Sequence, residues 1–262
     1  MKIVDGLHSP EILGEVVEII RKSRNGAALT GAGISVGSGI PDFRSPGGLW
    51  TKFSPGEYAT LEVFQRNPVK AWQLYREMGR VLEGKRPNRA HYALAELETG
   101  GNLNGVITQN VDGLHQQAGN RTVLEIHGDH QSLQCLKCGH LEQVQERHID
   151  GDEVPCCLSC QYPLKPNVVL FGEAVRNMEG IDVLIRDCDL LLVIGTSAQV
   201  YPAAGLPHEV KRNGGTILEF NREQALGSGG FSGIGSLTDY FFRGDVEQTL
   251  PALAAAMSEA RS

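Results

Sequence analysis

Ala27-Ala28-Leu29-Thr30-Gly31-Ala32-Gly33-Ile34-Ser35 is the stretch on which the fold turns. A short apolar run emptying into two glycines two positions apart reads as a buried strand that ends in a tight turn. Working outward, four more short apolar runs follow: Val106–Thr108, Val123–Ile126, Leu190–Ile194 and Thr216–Phe220. The segments between them are long enough for crossovers, which is the rhythm of a parallel α/β sheet. Helix signals fill the gaps. Ile12, Leu13, Val16, Val17, Ile19 and Ile20 share one helical face after Ser9-Pro10, a cap and first-turn pair. Asn67-Pro68 opens a second helix bearing Trp72, Tyr75, Met78 and Leu82, and Pro87-Asn88 a third that ends at Gly100-Gly101. The polar stretch from about 128 to 172 interrupts this rhythm and reads as an inserted module, and Gly227–Ser236 as a short flexible loop.

Composition narrows the classes. The 262 residues are 41% hydrophobic and 21% charged, a globular balance. No apolar run approaches the roughly 18 residues of a membrane span. The charge sum, 24 − 31 = −7, argues against a sequence-independent grip on nucleic acid and suits a cationic, lysine-bearing partner. The opening segment lacks an apolar signal core, so a cytoplasmic location with reduced cysteines is expected.

Cys135-Leu-Lys-Cys138 and Cys157-Leu-Ser-Cys160 form two C-x-x-C knuckles, and residues 139 to 156 put 18 residues between them. That spacing suits a tetrahedral four-thiolate Zn²⁺ site, closed to catalytic water, that replaces a core so polar a segment cannot build. The other readings are paired disulfides, disfavoured in a reducing compartment, and a redox motif, which is not expected twice at ribbon spacing. Cys156 breaks the two-residue spacing, and Cys188 reads as a small buried hydrophobe.

Each strand candidate is followed by residues suited to chemistry: Gly31 to Ser35, Gln109-Asn110-Val111-Asp112, His127-Gly128, Gly195-Thr196-Ser197 and Asn221. In an open parallel sheet these ends line one crevice. Gly31-x-Gly33 lets a backbone approach a pyrophosphate, although Val36 stands where a full G-x-G-x-x-G would need glycine, and tight turns carry two glycines for steric reasons alone. Gly195-Thr196-Ser197 is a second cradle or, equally, a turn with a helix cap. His127 is either a surface or capping residue or a general base, and Asn110 and Asp112 are either turn residues or hydrogen-bonding partners for a sugar, water or an amide.

Taken together, these segments resemble the sirtuins, NAD-dependent protein lysine deacylases. The resemblance is carried by Gly31–Ser35, Gly39-Ile40-Pro41-Asp42-Phe43-Arg44-Ser45, Thr108 to His115, His127-Gly128, both knuckles, Lys165 to Glu173 and Gly195 to Ala204. It implies a Rossmann-like NAD-binding domain over 1–43, 86–127 and 173–262. A smaller domain would take 44–85, a helical module, and 128–172, a zinc-ribbon module. It also implies nicotinamide release and passage through an alkylamidate to 2′-O-acyl-ADP-ribose and free lysine. His127 would be the general base, and Asn110 and Gln109 would position ribose and water. Ile40 and Asp112 would hold the nicotinamide amide, and Phe43 would separate nicotinamide from the sugar. Gly31, Ala32, Gly33, Ser35, Asp42 and Arg44 would flank phosphate and ribose, with Gly195, Thr196, Ser197, Asn221 and the Val246 backbone on the adenosine side. An acylated-lysine peptide would add as an extended strand between Gly172-Glu173 and Val200, over a wall built from Val168, Val169 and Phe171. Members that take acidic acyl chains resemble Tyr-x-x-Arg in the helical module. Here Tyr75 is followed three positions later by Met78, which implies deacetylation or removal of longer neutral chains. Asp129 is an acidic neighbour that would raise the His127 pKa if it faces the ring. The alternative activity is protein ADP-ribosyl transfer; an NAD-sensing module and a hydride-transfer dehydrogenase are weaker rivals.

Overall fold

The computed structural model describes residues 1–5, 10–227 and 236–260; Ser9 and most of the Gly227–Ser236 stretch lie outside them. Ten strands are present in the described residues: β1 (Lys2–Asp5), β2 (Gly26–Thr30), β3 (Gly105–Thr108), β4 (Val123–Glu125), β5 (Gly128–Cys135), β6 (Leu141–Gln143), β7 (Leu164–Val168), β8 (Leu190–Ile194), β9 (Thr216–Asn221) and β10 (Tyr240–Arg243). Seven form one parallel sheet in the order β1-β10-β9-β8-β2-β3-β4. Counted from β2, the six strands beyond the β1 edge run 3-2-1-4-5-6, the dinucleotide-binding order whose switch point lies between the first and fourth strands. The switch therefore falls between β2 and β8, where Gly31 and Gly195 leave the sheet.

Period-two alternation explains how the sheet holds layers on both faces. Ala28, Leu192, Ile194 and Phe220 pack into one core with Val16, Ile20, Leu94 and Leu253. Ala27, Leu29, Val193 and Ile217 pack into another with Ile181, Ile185 and Val210. The helices are Pro10–Lys22, Arg89–Thr99 and Val246–Glu259 on the first face, and Met178–Arg186 and Leu206–Arg212 on the second.

A third core gathers the polar insertion and the helical module. β6, β5 and β7 form a small antiparallel sheet. The helix Pro68–Leu82 turns Trp72, Leu74, Tyr75 and Met78 toward it, and Trp72 Nε1–H donates to the Leu164 carbonyl at 2.8 Å. Asn67 caps that helix by accepting the Lys70 N–H, as Ser/Thr/Asp/Asn caps do. No helix among the described residues is long and apolar enough to cross a membrane.

Candidate active site

The C-terminal ends of the strands and the small module enclose a cleft of about 1320 Å³. Its walls include Gly31, Ala32, Gly33, Asp42, Phe43, Arg44, Gln109, Asn110, His127, Gly195, Thr196, Ser197, Asn221 and Val246 from the sequence-derived set. Val168, Val169, Phe171, Gly172, Glu173 and Val200 line it too. Ser35, Ile40 and Asp112 do not. They line an adjoining cavity of about 30 Å³ that shares Ala32, Phe43 and Asn110 with the main cleft.

The glycine pair is needed where two loops abut. A methyl group on Gly33 would come within 2.7 Å of Gly195 Cα and O, and one on Gly31 within 2.8 Å of Thr196 Cβ. Gly195 itself sits at φ +57, where glycine is favoured. The turn enters a 3₁₀ helix, Ala32–Ser38. From there a polar network spreads: Asn110 Nδ2–H donates to Gly31 O at 3.2 Å and to Ser35 Oγ at 3.1 Å. Ser35 Oγ–H donates to Asp112 Oδ2 at 2.7 Å. Burial raises the Asp112 carboxyl above its usual range, against the pull of the Leu114 N–H and the Ser35 hydroxyl. Gln109 Nε2–H donates to Thr196 Oγ1 at 2.8 Å, and Asn221 Nδ2–H to Thr196 O at 2.9 Å. One set of bonds thus ties the ends of β2, β3, β8 and β9. Val246 opens the helix Val246–Glu259, where a first-turn N–H has no partner within the helix.

His127 follows β4 and is half-buried. Its Nδ1 lies 3.1 Å from the Gln109 carbonyl oxygen. A carbonyl can only accept, so Nδ1 carries the proton and Nε2 is the free base. Burial holds the imidazole below its ordinary range, and the bond to Gln109 works in the other direction. Asp129 does not face the ring. Gly128, at φ +74, turns the chain, and Asp129 accepts from the Ser132 N–H and hydroxyl and from Asn167 Nδ2–H. The condition on which Asp129 would raise the His127 pKa is therefore not met, and burial lowers it.

The four knuckle sulfurs all lie within 4.8 Å of one another. Cys135 and Cys160 Sγ are 3.5 Å apart, as are Cys138 and Cys157, close to the roughly 3.8 Å edge of a tetrahedron with Zn–S bonds of about 2.3 Å. Burial opposes ionisation of Cys135 and the N–H groups of Cys138 and Lys137 aimed at its sulfur lower its pKa, whereas Cys138, against the pull of the His140 N–H, is raised by its Cys135 and Cys157 neighbours. The donor set fits Zn²⁺. Cys156 is outside the group, and buried Cys188 turns its thiol to Leu190 O.

Several cleft residues have no counterpart in the sequence reading. Trp50 packs against Phe43 with centroids 4.9 Å apart. Leu74 joins Tyr75 and Met78 on the wall, and Arg222 meets Asp245 at 3.5 Å on the rim. The i, i+1 and i+4 spacing of Leu74, Tyr75 and Met78 on a helix was the available signal for that wall. The Tyr75 hydroxyl is buried with no hydrogen-bond partner among the described residues.

A family model described as the Sir2 family matches residues 31–202. An NAD-dependent protein deacylase of Pyrococcus abyssi is 43% identical over 244 residues, covering 90% of this chain and 94% of the relative. The solved structure of a Sir2 homolog–NAD complex superposes with a TM-score of 0.86 at 36% identity, over 99% of this chain and 98% of that one. Sir2Af2 bound to a myristoylated histone peptide gives a TM-score of 0.77 at 34% identity, over 96% and 98%.

Proposed function

The chain belongs to the Sir2 family, and from that premise we propose that its cleft brings NAD and an acylated lysine together, with His127 as general base. The activity is NAD-dependent protein deacylation, as in the relatives. NAD supplies a glycosidic bond whose cleavage releases nicotinamide and leaves a ribose carbon open to the acyl oxygen. The residues supply the rest. His127 Nε2, unprotonated and facing the cleft, takes a ribose hydroxyl proton. Asn110 and Gln109 are held by their bonds to Ser35 and Thr196 and orient ribose and water. Ser35, Ile40 and Asp112 in the small cavity receive the nicotinamide amide, with Phe43 as the partition. Gly31–Gly33, Asp42 and Arg44 flank the phosphates, and Gly195–Ser197, Asn221 and the Val246 backbone the adenosine. Fixed dipoles aimed into the cleft stabilise the positive charge that develops on the ribose. Cys135, Cys138, Cys157 and Cys160 would hold a Zn²⁺ that ties the small sheet together.

The peptide adds as an extended strand between Gly172-Glu173 and Val200, and the acyl chain runs along Val168, Val169 and Phe171. Leu74 and Met78 make that wall apolar. Arg76, the nearest guanidinium in sequence, donates to Glu153 O, so an acidic acyl chain finds no partner there and acetyl or longer neutral chains are preferred. We assign 1–43, 86–127 and 173–262 to the NAD-binding domain, and 44–85 and 128–172 to the small one. The third core, whose buried members lie within 44–85 and 128–172 apart from Val111, supports this division. A cytoplasmic home suits a four-thiolate site.

The observation that carries the reading is the Gln109-locked His127 tautomer in a cleft shared with Asn110 and the 168–173 wall. Mass spectrometry of products from NAD and acetyl-, butyryl- and succinyl-lysine peptides tests it. Acyl-ADP-ribose from the neutral peptides, with little from the succinyl one, is expected. Transfer of labelled ADP-ribose to protein without acyl-ADP-ribose would replace it with the ADP-ribosyltransferase reading.

A further inference from the structure

Every residue of β7 is buried, Lys165 included, at 0% exposure. An ammonium in such a place is costly unless its protons are all taken. They are. Nζ donates to Val168 O at 2.5 Å and to Pro166 O at 3.2 Å, and lies 3.1 Å from Glu173 Oε2. With three donors and three acceptors, nothing remains for a substrate. The nearby cation, Arg176, is engaged with Asn167 and Gln134.

What the ammonium holds is the segment beyond β7. Glu173 Oε2 accepts the Leu170 N–H at 2.8 Å, and the Glu173 N–H donates to Leu170 O at 2.9 Å, closing a turn over 170–173. The same segment is tied on both flanks. Val169 N–H donates to the His127 carbonyl at 2.8 Å. Phe171 N–H donates to Ala59 O, and Leu61 N–H to Phe171 O, each at 3.0 Å. The wall of the cleft is thus joined to the backbone of His127 on one side and to the helical module on the other, with the Lys165–Glu173 pair beneath it. Buried ion pairs are weak stabilisers, and fixing one geometry is their best-supported use.

We propose that Lys165 is a positioning residue for the acylated lysine: by neutralising Glu173 and gathering the 166 and 168 carbonyls, it fixes the 168–173 segment at the register to His127 that peptide docking requires. This rests on the deacylase reading above. The segment contacts the peptide and not the adenosine side, so the defect on losing Lys165 falls on peptide KM and spares NAD binding.

K165M alone strands the Glu173 carboxylate, so the deciding variant is K165M/E173Q, in which no charge is left and Gln still accepts the Leu170 N–H. It is compared with E173Q and the parent by steady-state kinetics on an acetyl-lysine peptide and by calorimetric titration with NAD. The double variant should raise peptide KM about tenfold over the parent and about fivefold over E173Q, with NAD affinity within about twofold. A peptide KM equal to that of E173Q, or NAD affinity falling in step, overturns the proposal. An unaltered chain that never turns over acetyl-lysine peptide with NAD would instead strike the deacylase reading.

Discussion

His91 and His115 are sealed behind the cleft at 0% and 1% exposure, their rings 5.0 Å apart. His91 takes the Asn88 N–H on Nδ1 and sets Nε2 3.4 Å from Ser35 Oγ. His115 Nε2 lies 2.9 Å from Thr30 Oγ1. Burial first, and the neighbouring His115 second, push His91 down to about 3. Burial pushes His115 down to about 4, against Asn120 and Glu98. Unfolded, both titrate near 6.5. Below that value the unfolded chain takes up protons that the folded chain refuses. The stability from keeping the rings neutral is therefore complete above about pH 6.5 and drains away as the pH falls toward the folded values. At about 1.4 kcal/mol per pH unit, each histidine removes about 2 kcal/mol between about pH 8 and about pH 5, and the pair about 4. That is a large fraction of the roughly 5–15 kcal/mol that holds a typical domain folded. Urea unfolding of the parent and of H91Q across this range is the assay. The glutamine does not titrate, so its curve should fall by about 2 kcal/mol less than the parent's. Curves that run parallel within about 0.5 kcal/mol would refute the claim that His91 stays neutral through this range.

Replacing His127 by alanine should cut kcat by about 10²–10⁴-fold while NAD still binds by calorimetry. In the parent, kcat/KM should hold as the pH drops through the ordinary imidazole value and fall only below it, because burial lowers the His127 pKa; an acid limb above about 6.5 contradicts the assignment. Elemental analysis should find about one zinc per chain. Cys135→Ala should release the metal and melt the β5–β7 sheet first, seen as a separate low-temperature calorimetric transition. Gly33→Ala should cost about 1–3 kcal/mol of stability, since the new methyl meets Gly195 backbone that cannot swing aside. A wild-type melting temperature together with unchanged NAD affinity would show that the two loops are not pressed together.

The ends of five strands were readable because each short apolar run breaks into residues a core would not hold: Gly31, Asn110, His127, Thr196 and Asn221. β1 and β10 were not. Lys2 and Ile3 are exposed on an edge, and Tyr240–Arg243 has only three buried residues in a row, too few to declare a period. Spacing also could not separate two cavities. Ser35 is only two positions from Gly33, yet the intervening 3₁₀ turn carries it to the Asp112 side. Where Asp129 points is set by backbone that sequence does not show: the left-handed Gly128 between it and His127 sends the two side chains to different partners.

The glycines at 31 and 33 show how a ligand motif and a packing constraint become one. Read along the chain, they open a path for a pyrophosphate. In the fold, the space their side chains would fill is occupied by Gly195 and Thr196. β2 and β8 are neighbours in the sheet, and the Gly31 N–H donates to Ile194 O at 3.0 Å and the Gly33 N–H to Gly195 O at 2.8 Å, so the two turns leave the sheet in contact. The same closeness lets Gln109 reach Thr196 and Asn110 reach Gly31. A side chain at Gly33 would thus disturb the cleft through the far loop and its hydrogen bonds before it touched any ligand.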